Sequence, residues 1–461
     1  MKMCAGMSRT DTNETPTAVA SMPSTALRTD HYELTMVQAA LQSGVAGRRA
    51  VFQVFARQLP KGRRYGVVGG TGRLADAVAA FRFGEAELSF LRDRGFLDAT
   101  TVEWLAGYRF QGTIDAYREG ELYFPYSPVV TVEAPFAEAL VLETLVLSIL
   151  NYDSAVASAA ARMVDAAGDR PLIEGGGRRT NEEAAVAAAR AAFVAGFAVT
   201  SNLEAGRRFG LPTAGTAAHA FTLAHGDERA AFAAQLAAFG AATTYLVDTF
   251  DLADGIRNAV ELAGPSLGAI RIDSGDLPRR AVGARALLDE LGANATAIVV
   301  SGDLDEHRIA ELRNAPIDRM LVGTRVVTGS GHPAAGMVYK LVAIAGGDGP
   351  GAPLRSVEKR SPGKLSPGER KYAYRVIDGD GFASEELVTT DPLPDGVMGR
   401  RPLQVRLLDA GSPSWSATAA ESRAHCLAAR AELRPEARSL SDGRPALDAT
   451  PSHYSPSDRS Q

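Results

Sequence analysis

The chain has 461 residues, of which 46% are hydrophobic and 22% are charged, and its formal net charge is −5. This length suits two or three domains, and the acidic balance argues against a nucleic-acid-binding protein, which is normally basic. The two cysteines, Cys4 and Cys426, lie near opposite ends of the chain. They indicate neither a disulfide framework nor a cysteine zinc site, and they favour a cytoplasmic location.

Residues 1–26 are expected to form a disordered leader, because this polar stretch lacks the apolar core of a secretory signal peptide. An α+β domain is predicted over 27–135. Its pattern begins with a helix at "DHYELTMVQAALQSG" and a strand at "AVFQVFARQL". Helices around 72–106 follow, and short antiparallel strands complete the segment.

A long buried helix is predicted over 136–163. Its most apolar part, "AEALVLETLVLSIL", contains Glu138 and Glu143 and is too short to span a bilayer. A helix in the core of the protein explains the same composition, so no membrane association is expected.

From residue 190 onward, short apolar strands with polar or glycine-rich ends alternate with amphipathic helices. The predicted strands are "FAVTSN", "TAGTAAH", "TTYLVDT", "AIRIDSGD", "AIVVSGD" and "RMLVGTR". Such alternation is typical of parallel strands joined by helical crossovers. Six successive units favour an irregular (β/α) barrel over an open sheet, and we expect this α/β barrel domain to span 136–355.

Polar residues cluster where the predicted strands end, which is the face of a barrel on which ligands bind. They are Ser201, Asn202, His219, Asp248, Asp273, Asp276, Ser301, Gly302, Asp303, Gly323 and Thr324. Their shared position predicts one ligand site at this face.

Two of these strand ends have the composition of phosphate sites. In "VGTRVVTGSG", Gly323, Thr324 and the amides that follow can hold a phosphate, although a turn without a ligand can have the same sequence. In "VVSGDLDEH", Gly302 offers backbone donors and Asp303 offers a carboxylate for sugar hydroxyls.

The motif "IRIDSGDL" places Asp273 and Asp276 close to Arg271. The two acids can hold ribose hydroxyls or Mg²⁺, and the guanidinium can neutralise an anion. A helix N-cap at Ser274 or Asp276 explains part of the same motif.

Three glycines precede two arginines in "IEGGGRRTNEE", a pattern that suits an anion clamp. We expect at least one of Arg178 and Arg179 to bind ligand. The alternative, in which one arginine packs and the other is solvated, stays open.

His219 lies among very small residues in "TAGTAAHAF", so local side chains cannot shield its ring. With Asp248 at the end of the next predicted strand, the imidazole can be oriented as a nucleophile or a base. A structural histidine is the alternative. Metal-ligand spacings are absent from the sequence, and no metal held by protein ligands alone is expected.

Seven segments, in chain order, closely resemble the nicotinate phosphoribosyltransferase family. They are "LRTDHYELTMVQAAL", "LPKGRRYGV", "GGGRRTNEEAAVAAARAA", "GFAVTSN", "GTAAHAF", "IRIDSGDL" and "LVGTRVVTG…YKLV". The resemblance covers about residues 27–450. It implies the type II phosphoribosyltransferase fold, an irregular α/β barrel with a second α+β domain built from 27–135 and 356–435. Residues 436–461 are expected to be a poorly ordered tail.

The resemblance implies an ATP-dependent enzyme of the ligase class in NAD salvage. Its substrates would be nicotinate, 5-phosphoribosyl 1-pyrophosphate and ATP, with Mg²⁺, and its products would include nicotinate mononucleotide and pyrophosphate. ATP hydrolysis would proceed through a phosphohistidine. A homodimer with shared active sites is also implied.

Roles for individual residues follow from the same resemblance. His219 is the phosphohistidine and Asp248 the acid that orients it. The ligand contacts are Arg178, Arg271 and Asp273, and the phosphate-holding residues are Gly302, Asp303, Gly323 and Thr324. Tyr32 would reach the base site of the neighbouring subunit.

Two positions bear on the base that the family enzyme would accept. Ser201 stands where related nicotinamide enzymes carry an aspartate, and a neutral residue there favours nicotinate. Gly175 replaces an aromatic or large apolar residue that many relatives have, which leaves the stacking partner of the pyridine ring open. Two other functions also stay open: a phosphoribosyltransferase for another pyridine base, and a non-catalytic nucleotide-binding barrel.

Overall fold

A computed structural model describes residues 23–347, 349, 351–358, 368–394 and 396–449. Most of the predicted leader, residues 1–22, and the last part of the predicted tail, residues 450–461, lie outside the described residues. Up to residue 135, the elements are a 3-10 helix (Ala26–Arg28), α1 (His31–Ser43), β1 (Arg49–Ala56), β2 (Gly66–Val67), α2 (Thr71–Ala79), α3 (Glu85–Arg94), α4 (Ala99–Gly107), β3 (Thr113–Tyr117), β4 (Leu122–Tyr123) and β5 (Val130–Pro135).

The middle of the chain alternates helices with short strands. Its elements are α5 (Phe136–Leu140), α6 (Glu143–Ala167), β6 (Leu172–Glu174), a 3-10 helix (Gly177–Arg179), α7 (Glu182–Ala195), β7 (Val199–Thr200), α8 (Leu203–Phe209), α9 (His219–His225), α10 (Glu228–Phe239), β8 (Thr244–Leu246), α11 (Leu252–Ala263), β9 (Ala269–Ile272), α12 (Leu277–Glu290), β10 (Ala297–Ser301), α13 (Glu306–Glu311), a 3-10 helix (Leu312–Asn314), β11 (Arg319–Val322), α14 (Thr324–Val327) and a 3-10 helix (Gly329–Gly331).

The last part of the chain consists mainly of strands. Its elements are β12 (Met337–Ala345), β13 (Leu354–Ser356), β14 (Tyr372–Ile377), β15 (Ala383–Thr389), β16 (Arg400–Pro402), β17 (Gln404–Asp409), β18 (Ser412–Pro413), α15 (Ala419–Ala431) and a 3-10 helix (Pro435–Arg438).

Strands β6 to β11 form a parallel sheet in the order β7-β6-β11-β10-β9-β8, which curls into a half-barrel. The predicted α/β class with helical crossovers is therefore confirmed. Within the described residues the sheet stays open between β7 and β8.

The predicted strand "TAGTAAH" is wrong, because residues 213–218 form no strand beyond a single bridge from Thr213 to Thr200. This segment is mostly exposed, and its glycine, alanine and threonine side chains offer little apolar surface to bury in a sheet. The parallel sheet instead includes β6, a three-residue strand that the sequence pattern did not separate from the glycines after it.

The second domain contains an antiparallel sheet in the order β13-β12-β1-β5-β3-β17-β18, drawn from both ends of the chain. Strand β1 lies inside this sheet between β12 and β5. It is buried over seven of its eight residues, which explains its nearly continuous apolar sequence. Strand β12 lies within the segment 136–355 that was predicted for the barrel, yet it pairs with β1 in this sheet.

Helix α6 runs through the core, as predicted. The segment Phe136–Ala167 is long and apolar enough to cross a membrane, but 67% of its most apolar window is buried inside the protein. Serine hydroxyls on α6 accept hydrogen bonds from the chain beside β2: Ser158 from Val67 N at 2.9 Å and Ser154 from Gly69 N at 3.0 Å. A side chain at Gly69 would collide with the Asp153 carbonyl group, so the close approach requires glycine.

The first part of the predicted tail is packed rather than poorly ordered. Leu447 and Ala449 are buried. The guanidinium of Arg64 donates to the carbonyl oxygens of Arg444 at 3.1 Å and Glu436 at 2.6 Å. The polar composition of this segment concealed these apolar and hydrogen-bonding anchors.

Candidate active site

The carboxyl ends of the parallel strands meet at one edge of the half-barrel, and most of the predicted site residues follow them there. They are Ser201 after β7, Asp248 after β8, Asp273 after β9, Gly302 and Asp303 after β10, and Gly323 and Thr324 after β11. The fold thus gathers residues that are more than a hundred positions apart in the sequence.

Asp273, Arg271 and Ser301 form one hydrogen-bonded group across β9 and β10. Arg271 Nε donates to Ser301 Oγ at 2.9 Å and Arg271 Nη2 to Asp273 Oδ1 at 2.9 Å, while Ser301 also donates to Asp273. Burial opposes ionisation of Asp273, but the Ser301 hydrogen bond and the Arg271 charge outweigh it and lower the pKa of the carboxyl. Asp273 is therefore a carboxylate at neutral pH.

Asp248 has a buried side chain in which one of the two carboxyl oxygens accepts hydrogen bonds. Its side chain is 1% exposed, and its Oδ2 accepts from Asp273 N at 2.8 Å and Ser274 Oγ at 3.0 Å. Its Oδ1 has no hydrogen-bond partner among the described residues. A buried oxygen without a partner costs free energy, so a donor group or a cation at this position would complete its coordination.

His219 is the first residue of α9 and not the last residue of a strand. Its Nδ1 lies 3.1 Å from Thr249 Oγ1, and its Nε2 lies 3.6 Å from Asp273 Oδ2 and 4.0 Å from Asp248 Oδ1. The imidazole is 39% exposed. The ring nitrogens therefore face a hydroxyl on one side and two carboxylates on the other.

The prediction that Asp248 orients the imidazole stays a prediction. The hydrogen-bond partner of the ring in this structure is Thr249, and Asp273 lies closer to Nε2 than Asp248 does. Asp248 Oδ2 is held by Asp273 N and Ser274 Oγ after β9, and its Oδ1 is the oxygen that faces the imidazole. Adjacency to Asp248 in the sequence was the signal that could have identified Thr249.

The two predicted phosphate-holding ends have unusual backbone conformations. Gly302 has φ +120°, and a Cβ there would lie 2.9 Å from the Asp273 carbonyl oxygen, so both conformation and space require glycine. Asp303 is exposed in a left-handed conformation with φ +45°. Gly323 directly precedes α14, a single helical turn that begins at Thr324.

A cavity of about 460 Å³ opens into the half-barrel beside these strand ends. Of the residues that the sequence pointed to, Arg178, Ser201, Asn202 and Arg271 line it. Sequence analysis missed several other lining residues: Ile173, Thr216, Thr244, Val299, Arg319 and Leu321. Most of these belong to strands in which alternate residues face the cavity, a period-two signal too short to use in strands of three to five residues.

The structure separates two pairs that the sequence left undecided. Both arginines are exposed, and Arg178 lines the cavity whereas Arg179 lies outside its lining. Asp276 is the N-cap of α12 and accepts from Arg279 N, as the alternative interpretation of "IRIDSGDL" predicted.

Glu174 is a buried acid beneath the glycine loop that sequence analysis did not single out. Its two carboxylate oxygens accept from Gly176 N and from Thr200 Oγ1, each at 2.5 Å. Burial raises the pKa of this carboxyl, and the two hydrogen bonds oppose that rise. Glu174 thereby ties the loop that carries Arg178 to the strand end that carries Ser201.

Tyr32 does not reach the cavity of its own chain. It lies on α1 beside Glu143, in a shallow depression lined also by Thr144 and Met337, and it is 45% exposed. Burial of its hydroxyl and the nearby Glu143 carboxylate raise the pKa of Tyr32 to about 12.

The described part of the chain contains no group of three or more histidine, cysteine, aspartate or glutamate side chains that could hold a metal ion. Any divalent cation at this site would therefore depend on ligands from substrate as well as on one or two protein carboxylates.

Known proteins resemble most of the chain. The family model for the nicotinate phosphoribosyltransferase N-terminal domain matches residues 27–151. Nicotinate phosphoribosyltransferase pncB1 of Mycobacterium tuberculosis is 54% identical over 430 residues, which cover 91% of this chain and 94% of the relative. Nicotinate phosphoribosyltransferase of Bacillus subtilis is 38% identical over 372 residues, covering 78% and 75%. The crystal structure of human nicotinic acid phosphoribosyltransferase matches with a TM-score of 0.76 and 27% identity, covering 91% of this chain and 96% of that one.

Proposed function

We propose roles for the residues of this site from one premise, that the chain belongs to the nicotinate phosphoribosyltransferase family. The reaction joins nicotinate to 5-phosphoribosyl 1-pyrophosphate and gives nicotinate mononucleotide and pyrophosphate. ATP coupling, the cation and the dimer are parts of the proposal.

The charge of the cavity lining is the observation that carries the choice of base. Among the described lining residues there are three arginines, Arg178, Arg271 and Arg319, and no aspartate or glutamate. An anionic base such as nicotinate is attracted to this lining, whereas a neutral amide gains less from it. Ser201 adds a neutral hydroxyl donor at the same wall.

Transfer of the phosphoribosyl group needs no strong base. The pyridine nitrogen of nicotinate already has a free electron pair, which forms the bond to C1 of ribose while the bond from C1 to pyrophosphate breaks. The electron pair of the broken bond leaves with pyrophosphate. Asp273 accepts from ribose hydroxyls, and the backbone at Gly302 and Gly323 holds phosphate, so the chain's contribution is positioning and charge neutralisation.

His219 is the proposed acceptor of a phosphoryl group from ATP. Nδ1 lies 3.1 Å from Thr249 Oγ1. In the tautomer in which Nδ1–H donates to this hydroxyl, Nε2 keeps its electron pair and attacks the γ-phosphorus while ADP leaves. Water then hydrolyses the phosphohistidine and releases phosphate. The small, exposed residues 214–218 before His219 leave space for the nucleotide.

Asp248 and Asp273 fit a divalent cation that accompanies the phosphorylated substrates. Asp248 Oδ1 is buried and lacks a partner within the described chain, and Asp273 Oδ2 faces the same imidazole. Magnesium is commonly held by one or two carboxylates together with substrate phosphates, whose charge it neutralises.

A homodimer with shared sites is supported by what the cavity lacks. None of its described lining residues is aromatic, and Gly175 offers no ring for stacking. Tyr32 is exposed and outside its own cavity, so we assign it to the base site of the neighbouring subunit. The single described cysteine, Cys426, is a buried free thiol, which agrees with a cytoplasmic enzyme.

Labelling with ATP that carries radioactive phosphate in the γ-position tests the proposed phosphohistidine. We expect an acid-labile, alkali-stable label on the wild-type protein, its loss in His219→Ala, and a fall of at least about 100-fold in ATP-dependent product formation. His225→Ala is the matched control, because His225 lies on the same helix and its ring contacts Phe221, whose carbonyl oxygen is 2.8 Å from Nδ1.

Two results would contradict the proposal. A label that survives in His219→Ala places the phosphoryl group elsewhere. Wild-type protein that takes no label, together with unchanged ATP binding in His219→Ala, indicates a nucleotide-binding barrel that does not use a phosphohistidine.

Assays with nicotinate, nicotinamide and quinolinate test which base the enzyme accepts. A preference for nicotinamide or quinolinate would refute the assignment of the arginine-lined cavity to nicotinate.

A further inference from the structure

Tyr152 stands between two ligand loops of the site without belonging to either. It is a half-buried residue of α6, the long helix in the core. Its hydroxyl donates to the carbonyl oxygen of Val327 at 3.0 Å and lies 3.4 Å from Thr180 Oγ1. One hydroxyl group thus contacts two segments that are almost 150 residues apart in the sequence.

Each contact belongs to a different part of the proposed site. Val327 is the last residue of α14, the single turn that begins at Thr324 on the phosphate side. Thr180 directly follows Arg178 and Arg179, the arginine pair on the base side. We call residues 175–180 the base loop and residues 323–328 the phosphate loop.

The two loops are also in direct contact. Gly175 N donates at 2.9 Å to the carbonyl oxygen of Val322, the last residue of β11 before the phosphate loop. A Cβ at Gly176 would lie 2.3 Å from Val327 Cγ1 and 2.8 Å from Gly323 O. A displacement of one loop therefore displaces the other. This link requires a group in the core that holds both loops in place.

The hydroxyl of Tyr152 has the chemistry for this task. A phenol can donate one hydrogen bond and accept another at the same time. The Tyr152 hydroxyl can therefore donate to Val327 O and accept a hydrogen bond from the Thr180 hydroxyl. Burial raises the pKa of Tyr152, and the group stays protonated at neutral pH. Because α6 is packed through the core, the phenol is a fixed point for both loops.

We propose that Tyr152 is a positioning residue that couples occupancy of the base site to occupancy of the phosphate site. This inference rests on the proposed function and extends it to the order and cooperativity of substrate binding. A ligand that orders the phosphate loop also orders the base loop through Tyr152, so each ligand strengthens binding of the other by the same factor. Without the hydroxyl, only the direct contacts between the two loops remain, and the coupling becomes weaker.

Calorimetric titration of nicotinate, with and without saturating ribose 5-phosphate, measures this coupling without turnover. The ratio of the two nicotinate dissociation constants should be at least about fivefold in the wild-type protein. In Tyr152→Phe the ratio should fall by about threefold or more, towards one, as expected from loss of one hydrogen bond. Thr180→Val should reduce the ratio similarly, and Thr180→Ser should restore it.

Tyr339→Phe is the control for a purely structural effect. The hydroxyl of Tyr339 is buried and donates to Ala139 O at 2.8 Å, but it contacts neither loop. This variant should lose stability while keeping the wild-type ratio.

The outcomes separate the inference from its premise. A wild-type ratio near one, an unchanged ratio in Tyr152→Phe, or an equal loss in Tyr339→Phe each overturns the coupling role. Wild-type protein that binds neither nicotinate nor ribose 5-phosphate overturns the proposed site, and the coupling with it.

Discussion

Ser201 is the position at which one substitution tests the proposed selection of the base by the cavity. The lining around it contains arginines and no described carboxylate. In Ser201→Asp, a negative charge would face the carboxylate of nicotinate, and two like charges at contact distance cost about 1 to 4 kcal/mol. We expect kcat/KM for nicotinate to fall by at least about tenfold, with a much smaller fall for nicotinamide.

Ser201→Asn is the matched control, because asparagine has nearly the size of aspartate without its charge. Steady-state kinetics on both bases should show only a small loss for nicotinate in this variant. An equal loss in Ser201→Asn and Ser201→Asp would mean that size, and not charge, sets the preference.

At the scale of single residues, the sequence predicted which residues belong to the site, but not which groups they contact. The sequence pointed to His219 and Asp248 because each stands beside small or polar residues near a predicted strand end. Which hydroxyl or carboxylate faces the imidazole depends on side-chain torsions after β8 and β9, which no pattern in the sequence specifies. Thr249 and Glu174 were missed for that reason: both act through hydrogen bonds within the folded site.

Packing between the base loop and the phosphate loop is an interaction of whole elements, and neighbouring glycines test it. In Gly176→Ala, the new methyl group would collide with Val327 and with the backbone of Gly323. We expect the free energy of unfolding to fall by about 1–3 kcal/mol. The KM values for both substrates should rise, because the collision moves both loops.

Gly177→Ala is the control in the same loop. A Cβ there would come no closer than 3.9 Å to Ala185 or Asn202, so the unfolding free energy should change by no more than about 0.5 kcal/mol. Urea denaturation measures both variants. Equal destabilisation of the two would show that loop flexibility, and not contact with α14, makes glycine necessary.

Element prediction succeeded where an apolar strand is bounded by polar residues and followed by an amphipathic helix. Strands β8 to β11 meet this condition. It failed at β6, where the strand has only three residues before the glycines. It also failed at 213–218, where small residues lie at the position expected for the next strand but remain outside the sheet. In both places, neighbouring strands decide the outcome, and their contribution is not visible in a local window.

At the scale of the whole molecule, pairing between distant segments governs the second domain. Residues of β1 pair with β12, for example Ala50 with Ile344. Buried charges reinforce the link between chain ends: Arg375 Nη1 lies 3.1 Å from Glu386 Oε2 and its Nη2 3.4 Å from Glu121 Oε1. The resemblance to a family implied a domain built from both ends, but local patterns alone could not assign β12 to it.

The proposed shared site makes a prediction that can be tested only in the assembled dimer. If Tyr32 serves the neighbouring cavity, Tyr32→Ala and Arg178→Ala damage opposite sides of each site and are each nearly inactive. In a mixed dimer, one site carries both substitutions and the other carries neither. Random pairing of equal amounts makes half of the dimers mixed, so about a quarter of wild-type activity should return.

Co-expression of the two variants with different affinity tags allows the mixed dimers to be isolated and assayed, and because one of their two sites is intact they should have about half of the wild-type activity. Arg178→Ala paired with Ser201→Asp is the control, because both residues line the cavity of the same chain. Every site in that mixed dimer keeps one defect, and its activity should not exceed the mean of the two parent variants. Mixed dimers of Tyr32→Ala and Arg178→Ala that form but stay inactive would show that Tyr32 does not complete the partner's site. The aromatic surface missing from the cavity would then have to come from another residue.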